Sequence, residues 1–340
     1  MPSSSRGRRL RRTGAIVSAA ALTAGLAPVG TAQAAVTFKA ADDGAKITSY
    51  KWAGKTQFDF TIKSPALGGA SQKVRVLVPK TWSFTAKRTW PTLYAYHGGR
   101  DGYVSWTRST DIESYAAKYD VMVVMPEGSN GSYTDWWNGG RGGSPKWETF
   151  HTQEVRQLME RNYHSGGIRA AMGNSSGGGG AITYAARHPG LFKYAASFSG
   201  VLSMRSPGIP ALLMYTNIST STINPFDIWG VPGLDDANWA AHDPYALAAK
   251  LKGTKLFFSS GTTGQPGPGD DPNLAPWDIG LLSEKAVGQT AIEFRNRLNQ
   301  LNIPYKADIY GNGRHAWPAW IREFHAQWTS IMAALGAKKF

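Results

Sequence analysis

Apolar and polar positions alternate with a period of two over residues 36–80. Two runs carry the pattern best, Gln57-Phe58-Asp59-Phe60-Thr61-Ile62 and Lys73-Val74-Arg75-Val76-Leu77-Val78, either side of Pro65-Ala66-Leu67-Gly68-Gly69. Alternation around a Pro/Gly turn predicts a pair of antiparallel strands at one sheet edge. Beyond residue 90 a further strand is expected over 305–310, and the pattern otherwise changes to short, largely apolar runs at 91–96, 121–126, from Ile168, and at 193–198 and 255–259. Runs of this kind predict strands buried on both faces. Between them lie stretches with helical spacing: from Ser109 as cap to Lys118, then 147–163, 178–187, about 283–301, and 317–335. Residues 200–243 read as an irregular excursion over the C-terminal edge of the sheet. Residues 262–280 form a Gly/Pro/Asp loop long enough to be functional. Strands alternating with helices predict an α/β fold, a mostly parallel sheet covered on both faces.

The first 34 residues stand outside this pattern. Arg6, Arg8, Arg9, Arg11 and Arg12 precede an apolar run from Ala15 to Leu26 and then Ala32-Gln33-Ala34. That is the order of a secretory signal peptide. Residues 1–34 are therefore set apart from a single domain over 35–340, and a secreted protein is expected, by the general or the twin-arginine route. The apolar run is too short to span a bilayer, and no later run is longer. Without the five leader arginines, 32 basic residues face 23 acidic ones and the net charge falls from +14 to +9. No dense Lys/Arg cluster is left, so nucleic acid is not an expected partner. With no cysteine there is neither a disulfide nor a thiolate metal site, and stability must come from a core. Aromatics stand beside glycines, as in Trp136-Trp137-Asn138-Gly139-Gly140, either as anchors for long loops or as a sugar- or acyl-binding surface.

The chemistry concentrates at Gly173-Asn174-Ser175-Ser176-Gly177, between the strand from Ile168 and a small-residue helix. A G-x-S-x-G stretch in that setting is a nucleophile elbow. Glycines two residues either side let strand and helix nearly touch, with Ser175 Oγ held proud of the sheet. Ser176 is the rival, but Asn174 stands where it would need its own leading glycine. A serine hydroxyl needs a base, an acid to orient the base, and N–H donors for the oxyanion. In this fold class the order is serine, acid, histidine, the last two on loops after late strands. His315 fits the base, in a glycine-rich turn after the last strand. His188, His242 and His325 sit at a helix end, a capping turn and a terminal helix. Glu284, Asp270, Asp271 and Asp278 all fall where the acid should be, and spacing alone does not choose among them. The oxyanion donors should be the N–H of Ser176 and one from the loop His97-Gly98-Gly99-Arg100.

These residues resemble the antigen 85 mycolyltransferases, within the secreted esterase branch of the α/β-hydrolases. The similarity runs through Gly98 to Trp106, Tyr133-Thr134-Asp135-Trp136, Lys146-Trp147-Glu148-Thr149-Phe150, the elbow, Trp229-Gly230, His242-Asp243-Pro244 and Gly313-Arg314-His315-Ala316-Trp317. The resemblance implies an α/β-hydrolase fold with Ser175 as nucleophile, His315 as base and Glu284 as acid. It implies oxyanion donors at Gly99 and Ser176, a sugar-contacting Arg100, and Trp317 beside the substrate. The sequence departs from the family where His97 replaces an acidic residue of the sugar-binding set and where Ser109 replaces an asparagine. Asn174 and Ser176 flank the serine where apolar residues are usual, and the cysteines are absent. The resemblance thus implies acyl-enzyme machinery more firmly than mycolate or trehalose.

The expected function is a secreted serine esterase or acyltransferase. Its substrate would be an acyl-ester lipid or acylated sugar, and its acceptor water, a sugar or a glycerol hydroxyl. A polysaccharide-directed acetyl or feruloyl esterase shares the same residues, and a catalytically silent glycan- or matrix-binding protein is the alternative from another class. No H-E-x-x-H or dinucleotide fingerprint occurs, so no metal and no cofactor are expected.

Overall fold

The computed structural model describes residues 37–220 and 223–340, and Phe38–Phe340 forms one compact unit. The leader expected over residues 1–34 lies outside the described residues. The strands are β1 (Lys46–Trp52), β2 (Gln57–Ser64), β3 (Ala70–Leu77), β4 (Trp90–Tyr96), β5 (Met122–Pro126), β6 (Ser165–Asn174), β7 (Tyr194–Phe198), β8 (Lys255–Gly261) and β9 (Lys306–Tyr310). They form one sheet in the order β1-β2-β3-β5-β4-β6-β7-β8-β9. β1, β2 and β3 are antiparallel, as is the β3–β5 pair; from β5 to β9 neighbours run parallel. The residue pattern dictates this division. In β2, Phe58, Phe60 and Ile62 point into the core while the residues between them are half-exposed. β5 and β7 are buried along their whole length, as strands covered on both faces must be.

Helices α1 (Ser105–Ser109) and α2 (Ile112–Ala116) pack on one face. On the other, α3 (Trp147–Thr149) continues through a π-helical turn (Phe150–Val155) into α4 (Arg156–Tyr163), beside α5 (Ser176–Arg187). The excursion after β7 holds α6 (Ile209–Thr220), α7 (Phe226–Trp229), α8 (Asp236–His242) and α9 (Pro244–Leu247). α10 (Ile279–Gln300) then joins the α5 face, and α11 (Trp317–Leu335) joins the α1 face. Among the described residues no helix is long and apolar enough to cross a membrane.

Three expectations need correction. The helix placed from Ser109 to Lys118 is two short helices: Ser109 ends α1, and extended Thr110 breaks the run before α2. The stretch 200–243 is not irregular throughout. Ile209-Pro210-Ala211-Leu212-Leu213-Met214 is apolar on every side, so α6 has no polar face to betray its period. α10 begins four residues before Ser283, because Asp278 Oδ1 caps it by accepting the Leu281 N–H at 3.0 Å.

Candidate active site

The elbow is where β6 becomes α5. Ser175 stands between them at φ 52° and ψ −126°, a strained conformation for a residue with a Cβ. A Cβ on Gly173 would lie 2.4 Å from the Gly177 carbonyl carbon, and one on Gly177 2.5 Å from the His97 carbonyl oxygen. Neither glycine can be anything else. The bend is pinned by the Ser175 N–H donating to the Phe198 carbonyl at 2.8 Å.

His315 Nε2 lies 2.8 Å from Ser175 Oγ, and His315 Nδ1 lies 2.7 Å from Glu284 Oε2. An ionised carboxylate can only accept, so Nδ1 carries the proton and Nε2 faces the hydroxyl as an acceptor. Glu284 is fully buried. Its other oxygen, Oε1, accepts from Ser199 Oγ at 2.8 Å, Ser260 Oγ at 3.1 Å, the Gly261 N–H at 2.7 Å and Tyr310 OH at 2.9 Å. Burial pushes this carboxyl up, but the His315 contact and the converging donors outweigh it and hold the group below the usual glutamate range. Glu284 does not sit on a loop, as the acid was expected to. It projects from the second turn of α10, which the loop after β8 delivers to the sheet edge.

Two of the other three candidate acids brace the histidine turn. Asp270 Oδ2 accepts the Arg314 N–H at 2.8 Å and the Gly267 N–H at 2.9 Å. Asp278 receives both arms of the Arg314 guanidinium at 2.8 and 3.0 Å while capping α10. Asp271 accepts the Asn273 N–H. The His315 N–H donates to the Gly280 carbonyl, and the Trp320 ring meets the imidazole edge-on at 5.1 Å. His188 is held by Glu148, His325 by Asp111, and His242 donates from Nδ1 to the Asn238 carbonyl.

A cavity of about 450 Å³ opens at Ser175. Gly99, Arg100, Ser176 and Trp317 line it. Arg100 is tied to α6, its Nη2 donating to the Ser219 carbonyl at 2.9 Å. Trp317 packs edge-on against Trp106 and Trp320. Val201, Met204, Leu212, Leu213 and Trp229 give the cavity an apolar side.

One expected substrate contact, His97, is corrected. His97 is fully buried and does not line the cavity: its ring turns inward, with Nδ1 2.7 Å from the Gly98 carbonyl oxygen and Nε2 2.7 Å from the Gly128 nitrogen. Ser109, at the end of α1, does not line it either. Several quoted motifs prove to be braces. Asp135 accepts from the Thr149 N–H and hydroxyl, Glu148 pairs with Arg187, and Asp243 accepts the Met204 and Tyr245 N–H groups. Ser199, Ser260, Tyr310 and Trp320 were missed; each is an ordinary residue at a strand or helix end that only the fold brings to Glu284 or His315. Among the described residues no group of three or more His, Cys, Asp or Glu side chains is placed to hold a metal ion.

Comparison with known proteins adds the family. The Esterase family model matches residues 64–331. Esterase Rv1288 of Mycobacterium tuberculosis is 30% identical over 247 residues, covering 70% of this chain and 51% of the relative. The chain thus spans about half the length of that relative. Diacylglycerol acyltransferase/mycolyltransferase Ag85A of Mycobacterium ulcerans is 30% identical over 264 residues, covering 73% of this chain and 74% of the relative. The crystal structure of MPT51 (FbpC1) of Mycobacterium tuberculosis superposes with a TM-score of 0.66 at 24% identity, over 80% of this chain and 96% of the other. The shared architecture is the α/β-hydrolase fold.

Proposed function

The chain belongs to the Esterase family, in its antigen 85-like group, and from that premise we propose an acyl-enzyme mechanism carried by Ser175, His315 and Glu284. The observation that carries it is the continuous contact from Ser175 Oγ through the imidazole to a buried carboxylate, at 2.8 and 2.7 Å. His315 Nε2 takes the hydroxyl proton as Oγ attacks an ester carbonyl. The oxyanion is received by the N–H of Ser176, one of the unsatisfied donors at the start of α5, and by that of Gly99. The tetrahedral intermediate collapses as His315 returns the proton to the departing alcohol. His315 then deprotonates water (hydrolysis) or a second hydroxyl (transfer), which releases the acyl group.

The apolar side of the cavity supports an acyl-ester lipid or acylated sugar as substrate, with the acyl chain against Met204, Leu212 and Trp229. We place the protein outside the cytoplasm on the leader at residues 1–34, and a form lacking them should be retained in the cell. Ser175→Ala should lower ester turnover by at least about 10³-fold, since such residues act as a unit. Wild-type turnover in that variant would overturn the mechanism. Esters of increasing acyl length, with and without trehalose or glycerol, identify the chain length and the acceptor from the products.

A further inference from the structure

We propose that His97 is a positioning residue for the oxyanion hole: from behind the cavity it orients and polarises the Gly98–Gly99 peptide whose N–H faces the reacting carbonyl. The inference rests on the mechanism above, in which the Gly99 N–H receives the oxyanion.

His97 follows β4 and is fully buried. Its Nδ1 lies 2.7 Å from the Gly98 carbonyl oxygen. A carbonyl can only accept, so Nδ1 carries a proton. This holds whether Nε2 accepts the Gly128 N–H at 2.7 Å or, protonated, faces Glu127 Oε1 at 3.1 Å. The Gly98–Gly99 peptide is trans, so its C=O and N–H point in opposite directions. Holding the carbonyl toward the interior turns the Gly99 N–H toward the cavity, which Gly99 lines and His97 does not. Among the described residues no protein acceptor takes that N–H. Two adjacent glycines leave this peptide free to flip, and the imidazole donor removes that freedom.

Donation into the carbonyl also strengthens the amide N–H of the same peptide as a donor, because hydrogen bonds in a chain polarise one another. The backbone of His97 and the carboxylate beside its ring are themselves fixed. Tyr133 OH donates to the His97 carbonyl at 2.7 Å, and the Glu127 carboxylate is held by the Ser129 and Tyr103 N–H groups. Glu127 Oε1 thus lies 3.1 Å from Nε2, on the side of the ring away from the oxyanion donor's peptide.

Three substitutions separate the two ring nitrogens. His97→Asn keeps a donor where Nδ1 was, His97→Gln moves it to the place of Nε2, and His97→Leu removes both; Ser175→Ala accompanies them. On a soluble short-chain ester the Gln and Leu variants should lose about 10- to 100-fold in kcat, with KM changed by no more than about twofold. They should lose affinity for a trifluoromethyl ketone, whose adduct with Ser175 mimics the tetrahedral intermediate, by the same factor. His97→Asn should recover kcat to within about threefold of wild type. Thermal unfolding is read for each, and if the Leu variant does not fold, the Asn and Gln pair decides. Equal kcat in the Asn and Gln variants, or a loss confined to KM, overturns the inference. An inactive Ser175→Ala with an unimpaired Gln variant sinks this inference alone, whereas an active Ser175→Ala sinks the mechanism and this proposal together.

Discussion

Glu284 Oε2 lies 2.7 Å from His315 Nδ1 while Oε1 accepts four hydrogen bonds, from residues at the ends of β7, β8 and β9. A carboxylate so held can neither rotate nor take up a proton cheaply, and it fixes the tautomer that leaves Nε2 open toward Ser175. Glu284→Gln keeps the shape but puts an amide N–H₂ against either the Nδ1 proton or the converging donors. We expect kcat to fall by about 10³–10⁴-fold through the wrong tautomer. Stability should fall by about 1–3 kcal/mol through the mismatched donors. Because the folded carboxyl is held below its ordinary 4.5, the wild-type contribution is present above that pH and is lost as pH falls through the folded value. Steady-state kinetics and urea melts of the variant check both; wild-type kcat would remove Glu284 from the mechanism.

The turn that carries His315 depends on a charge pair more distant from the chemistry. Asp278 both caps α10 and grips the Arg314 guanidinium, and it is chiefly that grip that holds its carboxyl below the usual 3.8. Asn caps a helix about as well as Asp, so Asp278→Asn spares the cap and weakens only the grip. The pair is partly exposed, so stability should change by less than about 1 kcal/mol. The kcat should nevertheless fall by about tenfold, because the imidazole then wanders from its near-attack position. A loss of stability without a loss of kcat would show that the pair serves the helix and not the site.

What the sequence disclosed follows from which constraints are local. Gly173 and Gly177 are forced by atoms within four residues or in the adjoining strand, so a five-residue window revealed the elbow. His315 was legible because it directly follows the last strand. Glu284 was not separable from Asp270, Asp271 and Asp278 by spacing, since the choice depends on which helical turn faces the imidazole; only the family resemblance selected it. His97 was misplaced because a residue just past a buried strand can turn either way, and the carbonyl of its own neighbour draws the ring inward. α6 was invisible because its first half is apolar on every side and no polar face marks its period.

His151 gives the protein a dependence on acid unrelated to catalysis. It is buried among Tyr133, Trp147 and Tyr184, and lies 2.9 Å from both Tyr184 OH and the Glu127 carbonyl. Burial pushes its pKa down to about 3 from 6.5. Below pH 6.5 the unfolded chain takes up a proton that the folded protein refuses until near pH 3. Stability should therefore fall as pH falls across that window, by up to about 1.4 kcal/mol per pH unit from this group. His151→Gln should be less stable at neutral pH yet show a shallower decline from pH 6 to pH 4 in urea melts. An unchanged slope would mean that other groups carry the dependence.

Glu323 should act with the opposite sign. It is 2% exposed on the inner side of α11. Burial first, and the neighbouring Asp308 second, raise its pKa to about 7 from 4.5 against the pull of Arg322 at 2.9 Å. Arg322 is itself partly solvated, so the contact compensates little for the buried charge. In its protonated form Glu323 carries no buried charge, and its contribution is fully present below about pH 4.5. That contribution declines as pH rises and is lost through about pH 7. Gln keeps the neutral form at every pH. Glu323→Gln should therefore match wild type at pH 5 and exceed it at pH 8 by about 1–3 kcal/mol, after discounting for relaxation around the site. Arg322 also lies over the Tyr310 ring, 4.5 Å from its centroid, and Tyr310 donates to Glu284. If the guanidinium keeps that place when Glu323 loses its charge, kcat at pH 8 should change by no more than about twofold. Paired urea melts and kinetics at the two pH values decide. A variant less stable than wild type at pH 8 would show that the ion pair with Arg322 outweighs the cost of the buried charge.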